Sequence, residues 1–269
     1  MADRLLRGLA GGGGPRVVAA TSGVALAEAA RRHGVSEGQR QPLGRGLTAA
    51  LMLSTLTKGN ERVTLQLLGR GGGAVVAEAN DSGHVRGYVR GWRRDPNGVV
   101  RVIRDLGLKE NFVGEVPLVS AEIDEDVEHY LQSSEQVPSV LRCEVLPGGQ
   151  AGGILVQSLP GEETGAIDAM RDFLTRGRLA AALRTADGPE ALMRALIDDV
   201  EILDIRPVTF RCPCTRERVL SALALLSPDD LSEMVAEGRA EVTCNFCGER
   251  YAVTPVELSR LLVESQNRS

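Results

Sequence analysis

The chain has 269 residues, 43% of them apolar, 25% charged and 3% aromatic, with a formal net charge of −5. That length buries a substantial core and predicts one large domain plus a small one, or two domains. Ordinary composition excludes the collagen-like, disulfide-dense and intrinsically disordered classes. The opening residues, MADRLLRGLAGGGGPR, contain no apolar segment of the signal-peptide kind. The longest strongly apolar stretch, Leu47 to Leu56, is about half of the ~20 residues a membrane span needs. The sequence therefore reads as a soluble cytoplasmic protein with no membrane partner.

In chain order, Arg16 to Thr21 is predicted as the first strand. A helix follows over Ser22–His33, with Ser22 as N-cap and Gly34 just past its end. Glu37 to Thr57 reads as a long helix closed by Gly59, because Leu43, Leu47, Ala50, Leu51 and Ser54 recur at three- and four-residue spacing. Short β-like runs then follow at Arg62–Leu68, Ala74–Ala79, His84–Val89, Val99–Arg104, Phe112–Val119, Val140–Leu146 and Gly153–Leu159. Turn residues separate them, and a helical run at Ile123–Leu131 interrupts the series. Residues 1–160 thus form a sheet-rich α+β domain with helices.

From Gly161 the texture changes. Glu163–Leu183 and Pro189–Asp199 are helix-like, acidic and alanine-rich, broken by Gly165, Gly177 and Gly188. Each interior glycine costs a helix about 1 kcal/mol relative to alanine, so these helices depend on docking against something else. Residues 161–210 read as a metastable helical connector ending in a strand, Glu201–Phe210. Residues 211–269 form a small C-terminal domain built on four cysteines. Two helices are expected there, Thr215–Leu226 and Pro228–Glu237 with Ser227 as N-cap. Strands are expected at Arg239–Thr243 and Glu249–Val253.

Cys212, Cys214, Cys244 and Cys247 make a CxC and a CxxC with 29 residues between them. In a reducing compartment such clusters point to metal or redox chemistry. Four thiolates in two close pairs suit one tetrahedral zinc ion, and Gly248 permits the turn of a zinc knuckle. Two readings remain open on spacing alone. A closed four-cysteine site is a structural zinc module, inert once coordinated. A CxC pair in place of the usual CxxC argues for a switch, because a disulfide between Cys212 and Cys214 would close a small, strained and labile ring. Oxidation would then eject the metal and remove on the order of 10 kcal/mol of folding energy from a small module.

The segment FRCPCTRERVLSALALLSPDDLSEMVAEGRAEVTCNFCGERYAV resembles the redox-switch domain of the bacterial redox-regulated heat-shock chaperonin of thirty-three kilodaltons. HGVSEGQRQPLGRGLTAALMLSTLTKGNERVTLQLLGRG, VVAEANDSGHVRGYV, FVGEVPLVSAEIDEDVEHYLQSSEQVPS and AGGILVQSLPG resemble further blocks of that family in the same order, so the resemblance covers nearly the whole chain. It implies zinc on Cys212, Cys214, Cys244 and Cys247 in a reduced, inactive protein. It implies disulfides Cys212–Cys214 and Cys244–Cys247 after oxidation, with zinc lost and the connector disordered. It further implies an ATP-independent holdase, not an enzyme. Such a holdase dimerises when oxidised, binds unfolding client proteins and hands them to ATP-dependent chaperones. The connector is poorer in aromatic residues than this role suggests, so no client-binding face is assigned.

Other features are weighed against plainer accounts. Gly69–Ala74 matches a degenerate GxGxxA fingerprint, but strand rather than helix follows, so a hairpin turn is expected. Arg86, Arg90, Arg93, Arg94, Arg101 and Arg104 around Trp92 offer a basic strip for RNA, or simply the solvated face of alternating strands. A zinc-ribbon-like binding module touching RNA is the alternative to the holdase. The charge balance disfavours nucleic acid: residues 161–209 carry 6 basic and 10 acidic side chains, and residues 210–269 carry 7 and 9. His33, His84 and His129 are scattered and read as structural. Cys143 reads as a small core residue. The run Glu122, Asp124, Glu125, Asp126 and Glu128 reads as acidic residues at a helix start, where the macrodipole favours them, rather than a catalytic pair.

Overall fold

The computed structural model describes residues 2–11, 13–57, 61–108, 110–159 and 165–266. The chain divides into two compact units, Met1–Arg211 and Cys212–Ser269. In the first, the order is β1 (Arg4–Ala10), β2 (Arg16–Thr21), α1 (Gly23–His33), α2 (Glu37–Ser54), β3 (Arg62–Gly69), β4 (Ala74–Asn80), β5 (His84–Arg90), β6 (Gly98–Asp105) and β7 (Phe112–Pro117). Then come α3 (Ile123–Ser133), β8 (Ser139–Val145), β9 (Ala151–Gln157), α4 (Gly165–Phe173), α5 (Arg176–Thr185), α6 (Pro189–Leu196), β10 (Val200–Pro207) and β11 (Thr209–Phe210). The mixed, sheet-rich architecture is the one expected. Among the described residues no helix is long and apolar enough to cross a membrane.

Two sheets enclose α2. One has the order β10-β1-β2-β9-β8, the other β11-β5-β4-β3-β6-β7. Every pairing is antiparallel except the short β11–β5 pair. Helix α2 packs on β3, β4 and β5 from one sheet and on β2, β8 and β9 from the other. Consequently every residue from Leu43 to Ser54 is buried, not only the predicted stripe. A helix covered on all sides needs small residues to admit its neighbours. A Cβ on Gly46 would lie 2.6 Å from Val75 Cγ1, and one on Gly44 2.5 Å from Val145 Cγ2. The predicted closing Gly59 lies outside the described residues; the last helical residue is Ser54.

The five-stranded sheet is buried on its other face too. Leu6, Val17, Ala19, Val140, Ile154 and Val156 meet Ile167, Leu174, Leu179, Leu183, Leu192, Met193 and Leu196 of the 165–197 segment in a second core. The expected dependence of these helices on docking has this apolar sheet face as its physical counterpart.

Several boundaries differ from expectation for identifiable reasons. Strand β1 is absent from the expected elements: it forms a local hairpin with β2, as in the pair Leu5–Ala20, and its other edge is taken by β10 from near residue 200, as in the pair Arg7–Asp204. The expected strand Glu201–Phe210 is two strands in two sheets. Pro207 has no N–H to continue the ladder, and the Val208 N–H donates to the Asp3 carbonyl at 2.9 Å. The expected helix Glu163–Leu183 breaks at Thr175 rather than at a glycine. Thr175 Oγ1 accepts from the Arg178 N–H and starts α5, leaving Gly177 inside it. The expected start at Glu163 lies outside the described residues. Ser22 occupies the N-cap of α1, but its hydroxyl bonds Thr48 Oγ1, and Asp3 Oδ2 accepts from the Ala25 N–H instead. A carboxylate answers both the free N–H groups and the positive helix end.

Candidate metal centre

The second unit contains α7 (Arg216–Leu223), α8 (Pro228–Ala236), β12 (Ala240–Thr243), β13 (Arg250–Val253) and α9 (Pro255–Gln266). Its core is small: Val219, Leu223, Leu231, Ala240, Val253, Leu258 and Leu261. Ser227 caps α8 through its hydroxyl as expected, and Thr215, expected as the first residue of its helix, is instead the N-cap of α7. Helix α9 was not anticipated. Thr254 and Glu257 form a capping box at its start, each side chain accepting from the other's backbone N–H.

The two cysteine pairs sit on different local frames. Cys244 and Cys247 lie in the turn of the β12–β13 hairpin. There the Gly248 N–H donates to the Cys244 carbonyl at 2.8 Å and the Cys244 N–H to the Glu249 carbonyl at 2.9 Å. Gly248 has φ of 70°, the left-handed backbone that this turn requires. Cys212 and Cys214 immediately precede the cap of α7. The four Sγ atoms all lie within 4.8 Å of one another, with Cys214–Cys247 at 3.3 Å and Cys212–Cys244 at 3.7 Å. A tetrahedron with zinc–sulfur bonds of about 2.3 Å has edges of about 3.8 Å. The donor set therefore fits a four-coordinate soft cation, and these residues can hold a metal ion.

Burial pushes the Cys214 and Cys247 thiols above their ordinary pKa, so as free thiols they are protonated. Hydrogen bonds oppose this: the Tyr251 hydroxyl donates to Cys214 Sγ at 3.2 Å, and the Glu249 backbone N–H serves Cys247. Such donors orient and stabilise metal-bound thiolates. Next to the CxC pair, Arg216 makes a two-pronged bond to Glu257 on α9. The Arg216 guanidinium, helped by Thr254, holds the Glu257 carboxyl down to about 2. Tyr251 and Glu257 carry no motif and were not singled out by sequence.

The remaining candidates are not drawn together. His33 ends α1, His84 starts β5 beside Arg211, and His129 lies on α3 within 3.3 Å of Ser133 Oγ. Cys143 is fully buried in the main core and its thiol is pushed well up by burial, which makes it inert. Gly69–Gly73 is the β3–β4 hairpin turn. The arginine strip is dispersed: Arg86 pairs with Glu78, Arg101 with Glu115, Arg104 with Glu135 and Arg94 with Glu122, while Trp92 is buried.

The model of the Hsp33 protein family matches residues 3–254. The chain belongs to the Hsp33 family. It is 35% identical to the 33 kDa chaperonin of Geobacillus kaustophilus over 97% of this chain and 98% of that one. It is 39% identical to the 33 kDa chaperonin of Thermus thermophilus, over 97% of this chain and 87% of the relative. The Bacillus subtilis 33 kDa chaperonin is 36% identical, with coverage of 96% and 98%. The crystal structure of the Hsp33 homologue from Thermotoga maritima matches with a TM-score of 0.84 at 30% identity, covering 99% of this chain and all of that one. The four-cysteine cluster is thus the C-terminal unit of an Hsp33 chain.

Proposed function

We propose that this chain is a redox-regulated, ATP-independent cytoplasmic holdase and not an enzyme. The observation that carries the reading is the CxC/CxxC quartet gathered within 4.8 Å, in a member of a family whose relatives are named chaperonins. Cys212, Cys214, Cys244 and Cys247 would hold one zinc ion in the reduced protein. Zinc supplies cross-linking of the CxC loop to the hairpin and keeps the sulfurs as thiolates, the form that oxidants attack.

Oxidation by peroxide joins Cys212 to Cys214 and Cys244 to Cys247. Each pair of thiolates gives two electrons to one peroxide, which takes up two protons from solvent and leaves as two waters. All six Sγ separations are short, so proximity is compatible with this pairing without selecting it. Sulfurs joined in disulfides no longer serve as thiolate ligands. A unit with so small a core then loses most of its folding energy. The connector, residues 161–210, loses its order, and the apolar sheet face beneath α4–α6, which carries Leu6, Val17, Val140 and Ile154, becomes available to unfolding clients. The oxidised chains dimerise and later pass clients to ATP-dependent chaperones.

The test measures zinc and free thiols before and after peroxide at elevated temperature, alongside light scattering from an aggregating client. Loss of one zinc and four thiols together with suppressed scattering is expected. Retained zinc with unchanged scattering overturns the proposal in favour of an inert structural zinc module.

A further inference from the structure

The acidic run at the start of α3 meets the 165–197 segment. Asp124 is 0% exposed. Its Oδ2 accepts from the Cys143 backbone N–H at 3.2 Å and from Nε of Arg176, the first residue of α5, also at 3.2 Å. Its Oδ1 has no hydrogen-bond partner among the described residues. Glu122 stands beside it, with Arg45 Nη1 and Arg176 Nη2 each 2.9 Å from Glu122 Oε2 and the largely exposed Arg94 on the other oxygen. Arg45 is shared again with Glu144 at 3.4 Å. Glu122, Asp124, the more exposed Glu125 and Glu144 therefore share Arg45 of α2 and Arg176 of α5, with Arg94 reaching Glu122 from the solvent side.

An ionised carboxylate out of water is strongly unfavourable unless cations and donors surround it. Burial pushes the Asp124 carboxyl upward even though Arg45 and Arg176 both pull it down. Among the described residues Arg176 is the cation in direct contact with Asp124, whereas Arg45 is engaged with Glu122 and Glu144. The same joint is held by side-chain bonds to backbone carbonyls: Arg142 Nε donates to the Leu174 carbonyl at 2.7 Å, and Arg171 Nη2 to the Ser139 carbonyl at 3.1 Å.

We propose that Arg176 is a positioning residue for the connector, keying α4–α6 onto the core by supplying the charge that buried Asp124 requires and so setting the threshold for connector release. This rests on the reading above, in which residues 161–210 leave the core on oxidation. Release withdraws a cation from Asp124, so the core itself opposes release while the cysteines are reduced and favours return after re-reduction. Apolar contact between α4–α6 and the sheet tolerates sliding; a charge contact to a fully buried carboxylate does not, so Arg176 also fixes where the helices seat.

Hydrogen–deuterium exchange on the full, reduced, zinc-loaded chain tests this with Arg176→Met, Asp124→Asn and the double variant. Arg176→Met is expected to speed exchange over residues 165–196 by at least about tenfold, since it leaves a buried charge unpaired, with β3–β7 unchanged. Adding Asp124→Asn is expected to restore most of the protection, because the orphaned charge is gone. Wild-type exchange in Arg176→Met overturns the proposal. So does a double variant as fast as Arg176→Met, which would make the effect one of packing, and so does loss of protection throughout β3–β7. Peroxide-treated wild type is measured alongside. If its 165–196 exchange does not rise while Arg176→Met and its rescue behave as described, the switching mechanism fails and the charge key stands.

Discussion

At the scale of single residues, the candidate metal centre comprises more than its four sulfurs. Tyr251 donates to Cys214 from the strand that follows the CxxC turn, and its hydroxyl takes no part in the backbone pairing of the hairpin. Partners of this kind change metal affinity by about 10–100-fold. Tyr251→Phe is therefore expected to surrender zinc to a chromogenic chelator roughly tenfold more readily, at unchanged thiol count. Equal chelator competition in both proteins would show that the bond is incidental. Cys143 provides the internal contrast. With its thiol buried and pushed up, it is expected to remain unmodified by peroxide while the clustered cysteines are consumed, as peptide mapping will report. The same maps decide whether disulfides form within each short pair or crosswise.

At the scale of elements, α2 and α6 illustrate two kinds of packing. Around α2, space is the constraint. Gly46→Ala places a methyl 2.6 Å from Val75 Cγ1 and is expected to cost about 1–3 kcal/mol, the usual penalty for overpacking. Urea unfolding followed by the buried Trp92 measures it, and Val75→Ala in the same chain should recover part of the loss. Around α6, apolar burial is the constraint. Leu192 is fully buried between helix and sheet, and Leu192→Ala is expected to weaken docking by about 2–5 kcal/mol. Selective proteolysis between residues 165 and 207 is then expected in the reduced protein, whereas cleavage spread evenly over the chain would place Leu192 in the general core.

At the scale of the molecule, the two units differ greatly in what sustains them. The first has two cores, one around α2 and one beneath α4–α6. Among its described residues, the second has one small apolar cluster, the Arg216–Glu257 clamp and the four cysteines. Small domains at this level of burial depend on metals or cross-links. Chelation under reducing conditions is therefore expected to abolish exchange protection over residues 216–266 while β3–β7 keep theirs. Persistence of α7–α9 without metal would remove the energetic basis of a metal-dependent switch.

The sequence by itself determined whatever depends on near neighbours along the chain. The CxC and CxxC spacings defined the donor set, the turn residues around β3–β7 placed the hairpins, and Thr215, Ser227 and Gly34 marked helix ends. These signals are short-range, because a cap or turn is satisfied within a few residues. Tertiary structure decided which distant groups meet. Strand β1 gains β10 as its second neighbour from far along the chain, Asp3 caps α1 in place of Ser22, Tyr251 reaches Cys214, and Glu257 clamps Arg216 beside the CxC pair. It also turned the acidic start of α3 from a surface ornament of a helix dipole into the buried seat of Arg176. The physical reason is common to all of these. Desolvation and partner charge are properties of three-dimensional surroundings, and they decide whether a residue of given chemistry is solvated, structural or functional.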